Sequence, residues 1–175
     1  MKTRSIGTSS LLTTRLAYGC MRLSQGTAGD PTPEVLEKGK AAVRAAFEAG
    51  FRLFDHADIY GRNACETIFG AVMREEPRLR DRMVIATKCG IRFPGQPTER
   101  DVARYDFSAA YIVRSCEGSL KRLGIETIDL YQLHRPDALM DPCEVAAAFD
   151  LLRRQGKVRE FGVSNFTTWQ FRALQ

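Results

Sequence analysis

Short hydrophobic runs of β type alternate with helix-type segments along almost the whole chain. The runs lie at residues 16–20, 51–55 and 83–90, then within TIDLYQLHRPD (127–137) and KVREFGVSNF (157–166). A helical segment follows each run, and strands joined by helices pair in parallel through right-handed crossovers. The alternation therefore predicts five βα units in a single α/β domain spanning residues 1–175.

Capping residues mark the ends of the predicted helices. The predicted caps are Thr32, Ser108 and Asp141 at N-termini, and Gly50 and Gly124 after C-termini. Pro142 follows Asp141 and Glu144 comes three residues after it, which predicts a capping box with Glu144 turned back to the N-cap. The long polar loop 91–106 after the third run is of a length that is usually functional or mobile.

Two architectures accommodate such a series, a doubly wound open sheet and a (β/α)₈ barrel. An open dinucleotide-binding sheet carries G-x-G-x-x-G after its first strand, whereas this turn reads YGCMRLSQGTAG. A barrel places its working residues at the C-terminal ends of several strands, and polar residues recur there in this chain. We therefore predict a TIM (β/α)₈-type barrel, of which the chain holds about the first five βα units.

Composition excludes several classes of protein. The chain has 175 residues, 44% hydrophobic content and a net charge of +5. No apolar run approaches the roughly 20 residues of a membrane span, and the scattered basic residues form no nucleic-acid motif. Five dispersed cysteines without a C-x-x-C pair predict reduced thiols, a cytoplasmic location and no metal site.

Polar residues stand at the ends of four successive predicted strands. Asp55 ends the second strand with Tyr60 just beyond it, Lys88 lies near the end of the third, His134 ends the fourth, and Ser164-Asn165 follow the fifth. Each residue alone has a structural interpretation, as a cap, a turn or a solvated side chain. Their recurrence at one end of successive strands favours a shared site. His56 points to the opposite strand face and is interpreted as structural.

A phenol, an ammonium, a carboxylate and an imidazole brought together suit proton delivery to a carbonyl oxygen. A free phenol has a pKa of about 10, which a nearby ammonium lowers, and an imidazole can orient the carbonyl by hydrogen bonding. A hydride for the carbonyl carbon has to come from a cofactor, because no side chain supplies one.

The chain resembles the aldo-keto reductase superfamily, and within it the bacterial oxidoreductase branch. The resemblance rests on GFRLFDHADIYG, VIATKCG, IDLYQLHRPD and KVREFGVSNF, in order and spacing. It implies NADPH-dependent reduction of small-molecule aldehydes and ketones, with Tyr60 as proton donor. The implied catalytic residues are Asp55, Tyr60, Lys88 and His134. The implied cofactor-binding residues are Gly19, Cys20, Met21, Asp55, Ser164 and Asn165.

The series of units ends in the helix after the fifth strand, whereas a complete barrel has eight strands in about 250 residues. We therefore expect a barrel that is incomplete at its C-terminus, with unpaired sheet edges that favour self-association. The alternative function is a non-catalytic partial barrel that has lost most of its cofactor site.

Overall fold

Five of the nine strands form one parallel sheet in the computed structural model, which describes residues 1–175. The strands are β1 (Thr3–Ser5), β2 (Leu12–Thr14), β3 (Ala17–Gly19), β4 (Leu53–Asp55), β5 (Val84–Cys89), β6 (Ile91–Arg92), β7 (Arg104–Tyr105), β8 (Ile128–Leu133) and β9 (Val158–Val163). The sheet order is β3-β4-β5-β8-β9, with every pair parallel. The five predicted βα units are confirmed.

The helices begin and end close to the predicted caps. They are α1 (Pro33–Glu48), α2 (Ala64–Glu75), α3 (Ala109–Leu123), α4 (Pro142–Arg154) and α5 (Thr168–Leu174), with 3₁₀ turns at Cys20–Arg22 and Pro77–Arg82. The side chains of Thr32, Ser108 and Asp141 each accept a hydrogen bond from a backbone N–H of the following helix. Gly50 and Gly124 have the positive φ angles, 95° and 66°, that suit glycine after a helix.

Four helices pack on one face of the sheet. Phe54 of β4 lies opposite Ile85 of β5, and both belong to the cluster that α1 and α2 cover. Tyr131 of β8 lies opposite Phe161 of β9, on the side that α3 and α4 cover. A doubly wound sheet would carry helices on both faces. The fold is therefore a partial α/β barrel with its helices outside.

One local prediction, that of Glu144, differs from the structure. Glu144 does not turn back to cap α4, because its Oε2 accepts a hydrogen bond at 2.7 Å from Ala109 N at the start of α3. The carboxylate thereby caps a neighbouring helix instead of its own. The loop 91–106 contains the antiparallel pair β6–β7, in which Ile91 pairs with Tyr105.

An N-terminal hairpin that the sequence did not signal covers the start of the sheet. Strands β1 and β2 pair antiparallel, and Thr14 Oγ1 accepts a hydrogen bond at 3.1 Å from Arg52 N, just before β4. The hairpin therefore lies at the end of the sheet opposite to the C-terminal ends of the strands. None of the helices combines the length and the apolar content that crossing a membrane requires.

Candidate active site

The sheet brings the polar strand ends into neighbouring positions. Asp55 lies at the end of β4 beside Gly19 of β3, and Lys88 lies on β5 beside Gln132 of β8. His134 directly follows β8, and its N–H donates to Cys89 O at 2.9 Å. Parallel strands present their C-terminal ends at one edge, so these side chains share one rim.

An ion pair joins Asp55 and Lys88. Lys88 Nζ lies 2.6 Å from Asp55 Oδ1 and also donates to the carbonyl oxygen of His56 at 2.7 Å. The Lys88 side chain is nearly buried, whereas Asp55 is one-third exposed. A nearly buried ammonium with a carboxylate and a carbonyl as partners keeps a fixed position.

Tyr60 reaches Lys88 because the chain after β4 continues to follow β5. His56 N donates to Ala86 O at 2.8 Å, and Asp58 N donates to Lys88 O at 3.0 Å. The following turn places Lys88 Nζ 5.3 Å from the centroid of the Tyr60 ring. The Tyr60 hydroxyl has no hydrogen-bond partner within the chain, and it is free to bond to a ligand.

His134 faces Tyr60 as a neutral imidazole. The two ring centroids are 5.8 Å apart with an interplanar angle of 80°. Burial, followed by the positive charges of Lys88 and Arg135, lowers the pKa of His134 from 6.5 to about 4. Its Nδ1 is enclosed without a partner, so Nε2 is the nitrogen available to a ligand. A neutral imidazole that carries its proton on Nε2 donates a hydrogen bond.

Ser164 and Asn165 are tied to His134. Asn165 Nδ2 donates to His134 O at 3.0 Å and to Ser164 Oγ at 2.9 Å, and Ser164 N donates to Leu133 O at 2.8 Å. The Asn165 Oδ1 and the Ser164 hydroxyl hydrogen have no partner within the chain. This acceptor and donor match the donor and acceptor of a primary carboxamide, the end group of nicotinamide.

The residues Gly19, Cys20 and Met21, which the family resemblance implies as cofactor-binding, divide between the core and the solvent-facing surface. Cys20 is fully buried and belongs to the hydrophobic core, where burial raises the pKa of its thiol. Any contact of Cys20 with a cofactor is therefore through its backbone. Met21 is half exposed, and Gly19 borders open space, since a Cβ added there would meet no atom within 4 Å.

The rim opens into a cleft of about 640 Å³. Its walls include Met21, Tyr60, His134 and Asn165, so four predicted site residues from four different strand ends border one space. Asp55 and Lys88 are not among the residues that line the cleft. The cleft is large enough for a small ligand beside the Tyr60 hydroxyl.

A second polar group, which the sequence reasoning missed, lies on the helix side of the same strands. We call it the outer polar cluster; its members are Asp58, Glu66, Thr87, Ser115 and Arg122. Glu66 Oε1 accepts from Thr87 Oγ1 at 2.6 Å, and its Oε2 accepts from Arg122 Nε at 2.8 Å. Asp58 Oδ2 accepts from Ser115 Oγ at 2.7 Å. The available signals were a polar Thr87 on the otherwise apolar helix-facing side of β5 and Glu66 on the apolar face of α2.

Comparison with known proteins agrees with this fold. The 6-dehydroglucose reductase of Agrobacterium fabrum is 40% identical over 162 residues, which are 92% of this chain and 53% of that protein. The aldo-keto reductase AKR11C1 of Bacillus halodurans, solved in a holo form, superposes with a TM-score of 0.82 at 31% identity. The superposed region covers 99% of this chain and 53% of the Bacillus halodurans protein.

The glycerol dehydrogenase AKR11B4 of Gluconobacter oxydans gives a TM-score of 0.84 at 32% identity, over 98% of this chain and 51% of that one. The chain thus spans about half the length of these relatives. The family model described as "Aldo/keto reductase family" matches residues 15–175. The chain therefore belongs to the aldo/keto reductase family.

Proposed function

We propose that the chain carries the proton-delivering site of an NADPH-dependent carbonyl reductase, which converts aldehydes or ketones to alcohols. The observation that carries the proposal is the placement of Tyr60 between the Asp55–Lys88 ion pair and the neutral His134, at the border of a cleft. Membership of the family supports it, as do the reductase and dehydrogenase names of the relatives. Residues 1–175 form one part of this single reductase domain.

Tyr60 is the proton donor in this proposal. Its hydroxyl gives a proton to the carbonyl oxygen and becomes a phenolate. The ammonium of Lys88, fixed by Asp55 at 2.6 Å, stabilises that negative charge through proximity. Asp55 acts on the reaction by keeping the ammonium in place.

His134 orients the substrate. Its neutral Nε2–H donates to the carbonyl oxygen and directs a lone pair of that oxygen toward the Tyr60 hydroxyl. With a pKa of about 4, the imidazole stays neutral throughout the physiological range. It therefore does not compete with Tyr60 as an acid.

The residues expected to hold the cofactor are consistent with a nicotinamide carboxamide. Asn165 Oδ1 and the Ser164 hydroxyl would bind the amide group, and the open space at Gly19 with the backbone of Cys20 and Met21 would lie against the ribose. Asp55 lies beside Gly19 in the sheet. When bound, NADPH supplies a hydride to the carbonyl carbon. The preference for NADPH over NADH follows the family resemblance.

The proposed location is the cytoplasm. All five cysteines are unpaired and four of them are buried, which is usual for proteins of a reducing compartment.

Isotope transfer tests the function. The chain, and in parallel the chain joined to the C-terminal half of the Agrobacterium fabrum reductase, is incubated with an aldehyde and NADPH deuterated at C4. We expect deuterium on the carbinol carbon of the alcohol, and slower consumption of NADH than of NADPH. If neither form consumes NADPH or binds it, the alternative of a non-catalytic partial barrel replaces this proposal.

A further inference from the structure

Three arginines border the cleft without any acidic neighbour. The fifteen residues that line it include Arg22, Arg62 and Arg135 and no aspartate or glutamate. None of the three lies within 4.0 Å of a carboxylate, whereas six other arginines of the chain do. A basic protein carries surplus arginines on its surface. Here, however, they meet at the one cleft that contains Tyr60 and His134.

Arg62 has a defined position at the cleft wall. It lies two residues after Tyr60 with a left-handed backbone, φ 48°, and its N–H donates to Ile59 O at 3.0 Å. Its guanidinium lies over the ring of Phe93, 4.7 Å from the centroid. Stacking on an aromatic face leaves the guanidinium N–H groups available to an anion.

Arg135 lies directly beside the group proposed to bind the carbonyl. It follows His134 in the chain and its side chain is exposed. Its positive charge is among the causes that lower the pKa of His134, and both residues line the cleft. The cleft wall thus includes one arginine two residues after Tyr60 and another directly after His134 in the chain.

We propose that the substrates of this cleft are carbonyl compounds that carry a carboxylate or phosphate group. Arg62 and Arg135 hold the anion while the carbonyl oxygen lies between Tyr60 and His134. Because both arginines line the same cleft as Tyr60 and His134, one small molecule can contact an arginine and the two carbonyl-binding residues together. This proposal rests on the proposed function and specifies its substrate class. Charge-assisted, bidentate pairs of this kind strongly favour anions over neutral analogues.

The phosphate groups of a nicotinamide cofactor are also anions, and they compete with a substrate carboxylate or phosphate as the group that the arginines bind. Arg22 follows Met21, on the side expected for the cofactor ribose, so it is not included in the proposed substrate contact. The experiment therefore measures binding without cofactor first, and cofactor binding separately.

Amide NMR titrations of the 175-residue chain measure the affinities of two ketones, 4-acetylbenzoate and the neutral 4-acetylbenzamide. We expect the acid to bind at least about tenfold more tightly. The double variant Arg62→Gln/Arg135→Gln should lose that preference and keep its affinity for the amide. Arg154→Gln, which removes an exposed arginine of α4, is the matched control and should keep the preference.

Three results would overturn the proposal: equal affinities in the parent chain, a preference that survives in the double variant, or an equal loss in the control. In a separate titration, a fall in NADPH affinity as large as the fall for the acid would assign Arg62 and Arg135 to the cofactor instead. Because the ketone titrations use no cofactor and no turnover, their outcome is independent of whether the chain is a reductase.

Discussion

Two carboxylate–cation pairs lie on opposite faces of the same strands. The inner pair, Asp55–Lys88, has an N–O distance of 2.6 Å and lies at the rim beside Tyr60, whereas the outer pair, Glu66–Arg122, has one of 2.8 Å and lies under the helices. Thr87 and Lys88 are adjacent on β5, so strand alternation alone sends one to each pair.

The difference between the pairs is access to water and ligand. Asp55 is one-third exposed, but Glu66 is fully buried and uses both oxygens on Thr87 and Arg122. A fully satisfied buried pair fixes α2 and α3 against the sheet. A pair at the rim can instead act on a bound molecule. We therefore propose a chemical role for the inner pair and a structural role for the outer polar cluster.

The largest expected effect separates catalysis from stability at the inner pair. Lys88→Met removes the ammonium beside Tyr60, and the reduction rate should fall about 10²- to 10⁴-fold. The free energy of unfolding should change less than in the outer-pair variant below, because Asp55 retains contact with water. Turnover and chemical denaturation are measured on the same sample. A large loss of stability with unchanged turnover would reverse the assignment of the two pairs.

Asp58 gives the outer polar cluster a pH dependence. Burial above all, with a smaller contribution from Glu66, raises its pKa from 3.8 to about 7, against the opposing effects of Ser115 and Arg122. Folding therefore favours the protonated acid, and this contribution to stability is complete below about pH 4 and is lost as the pH rises through 7.

In the Asp58→Asn variant residue 58 cannot ionise, so its free energy of unfolding should not fall as the pH rises through 7. Relative to the parent, it should gain up to about 4 kcal/mol between about pH 4 and pH 8. Denaturation midpoints across that range measure the gain. Ser115→Ala should move the transition to higher pH, because it removes a hydrogen bond to the carboxylate. Parallel curves for parent and Asp58→Asn would show that Asp58 does not titrate there.

The outer pair should matter mainly for stability. Glu66→Gln leaves the charge of Arg122 without its partner in a mostly buried position, and the free energy of unfolding should fall by about 3 kcal/mol. Glu117→Gln is the control, because Glu117 pairs with Lys157 at the surface, and such pairs contribute about 0–1 kcal/mol. Equal losses in the two variants would remove the distinction between buried and exposed pairs.

The smallest effect concerns protonation of the two imidazoles. Burial lowers the pKa of His56 to about 3 and that of His134 to about 4. NMR of the ring protons should show no imidazole that titrates near its ordinary pKa of 6.5. A midpoint near 6.5 for His134 would mean that the ring is charged at mildly acidic pH, and its role as a neutral hydrogen-bond donor would fail there.

The sequence predicted the inner side of the sheet better than the outer side. Strand ends marked by Asp55, Lys88 and His134 follow a general rule of barrels, so their meeting was predictable. The position of Cys20 in the core was not predictable, since Cys20 begins the 3₁₀ turn Cys20–Arg22, where strand alternation no longer decides which way a side chain points. The outer polar cluster joins residues 21 and 56 positions apart, and no local pattern connects them.

The same limit applies to caps. Asp141 was predictable as an N-cap because its partner, Cys143 N, is two residues away. Glu144 was assigned to the same helix by spacing, but it bonds to Ala109, 35 positions earlier. Sequence spacing indicates only contacts within a helix, whereas Glu144 makes its hydrogen bond to a neighbouring helix.

The direct test of the account is the single-turnover rate of hydride transfer in Tyr60→Phe, with Tyr105→Phe on β7 as the control. The variant removes only a hydroxyl, so cofactor affinity should stay as in the parent. The rate should fall about 10²- to 10⁴-fold, while Tyr105→Phe should match the parent. A Tyr60→Phe rate near that of the parent would show that Tyr60 is not the proton donor.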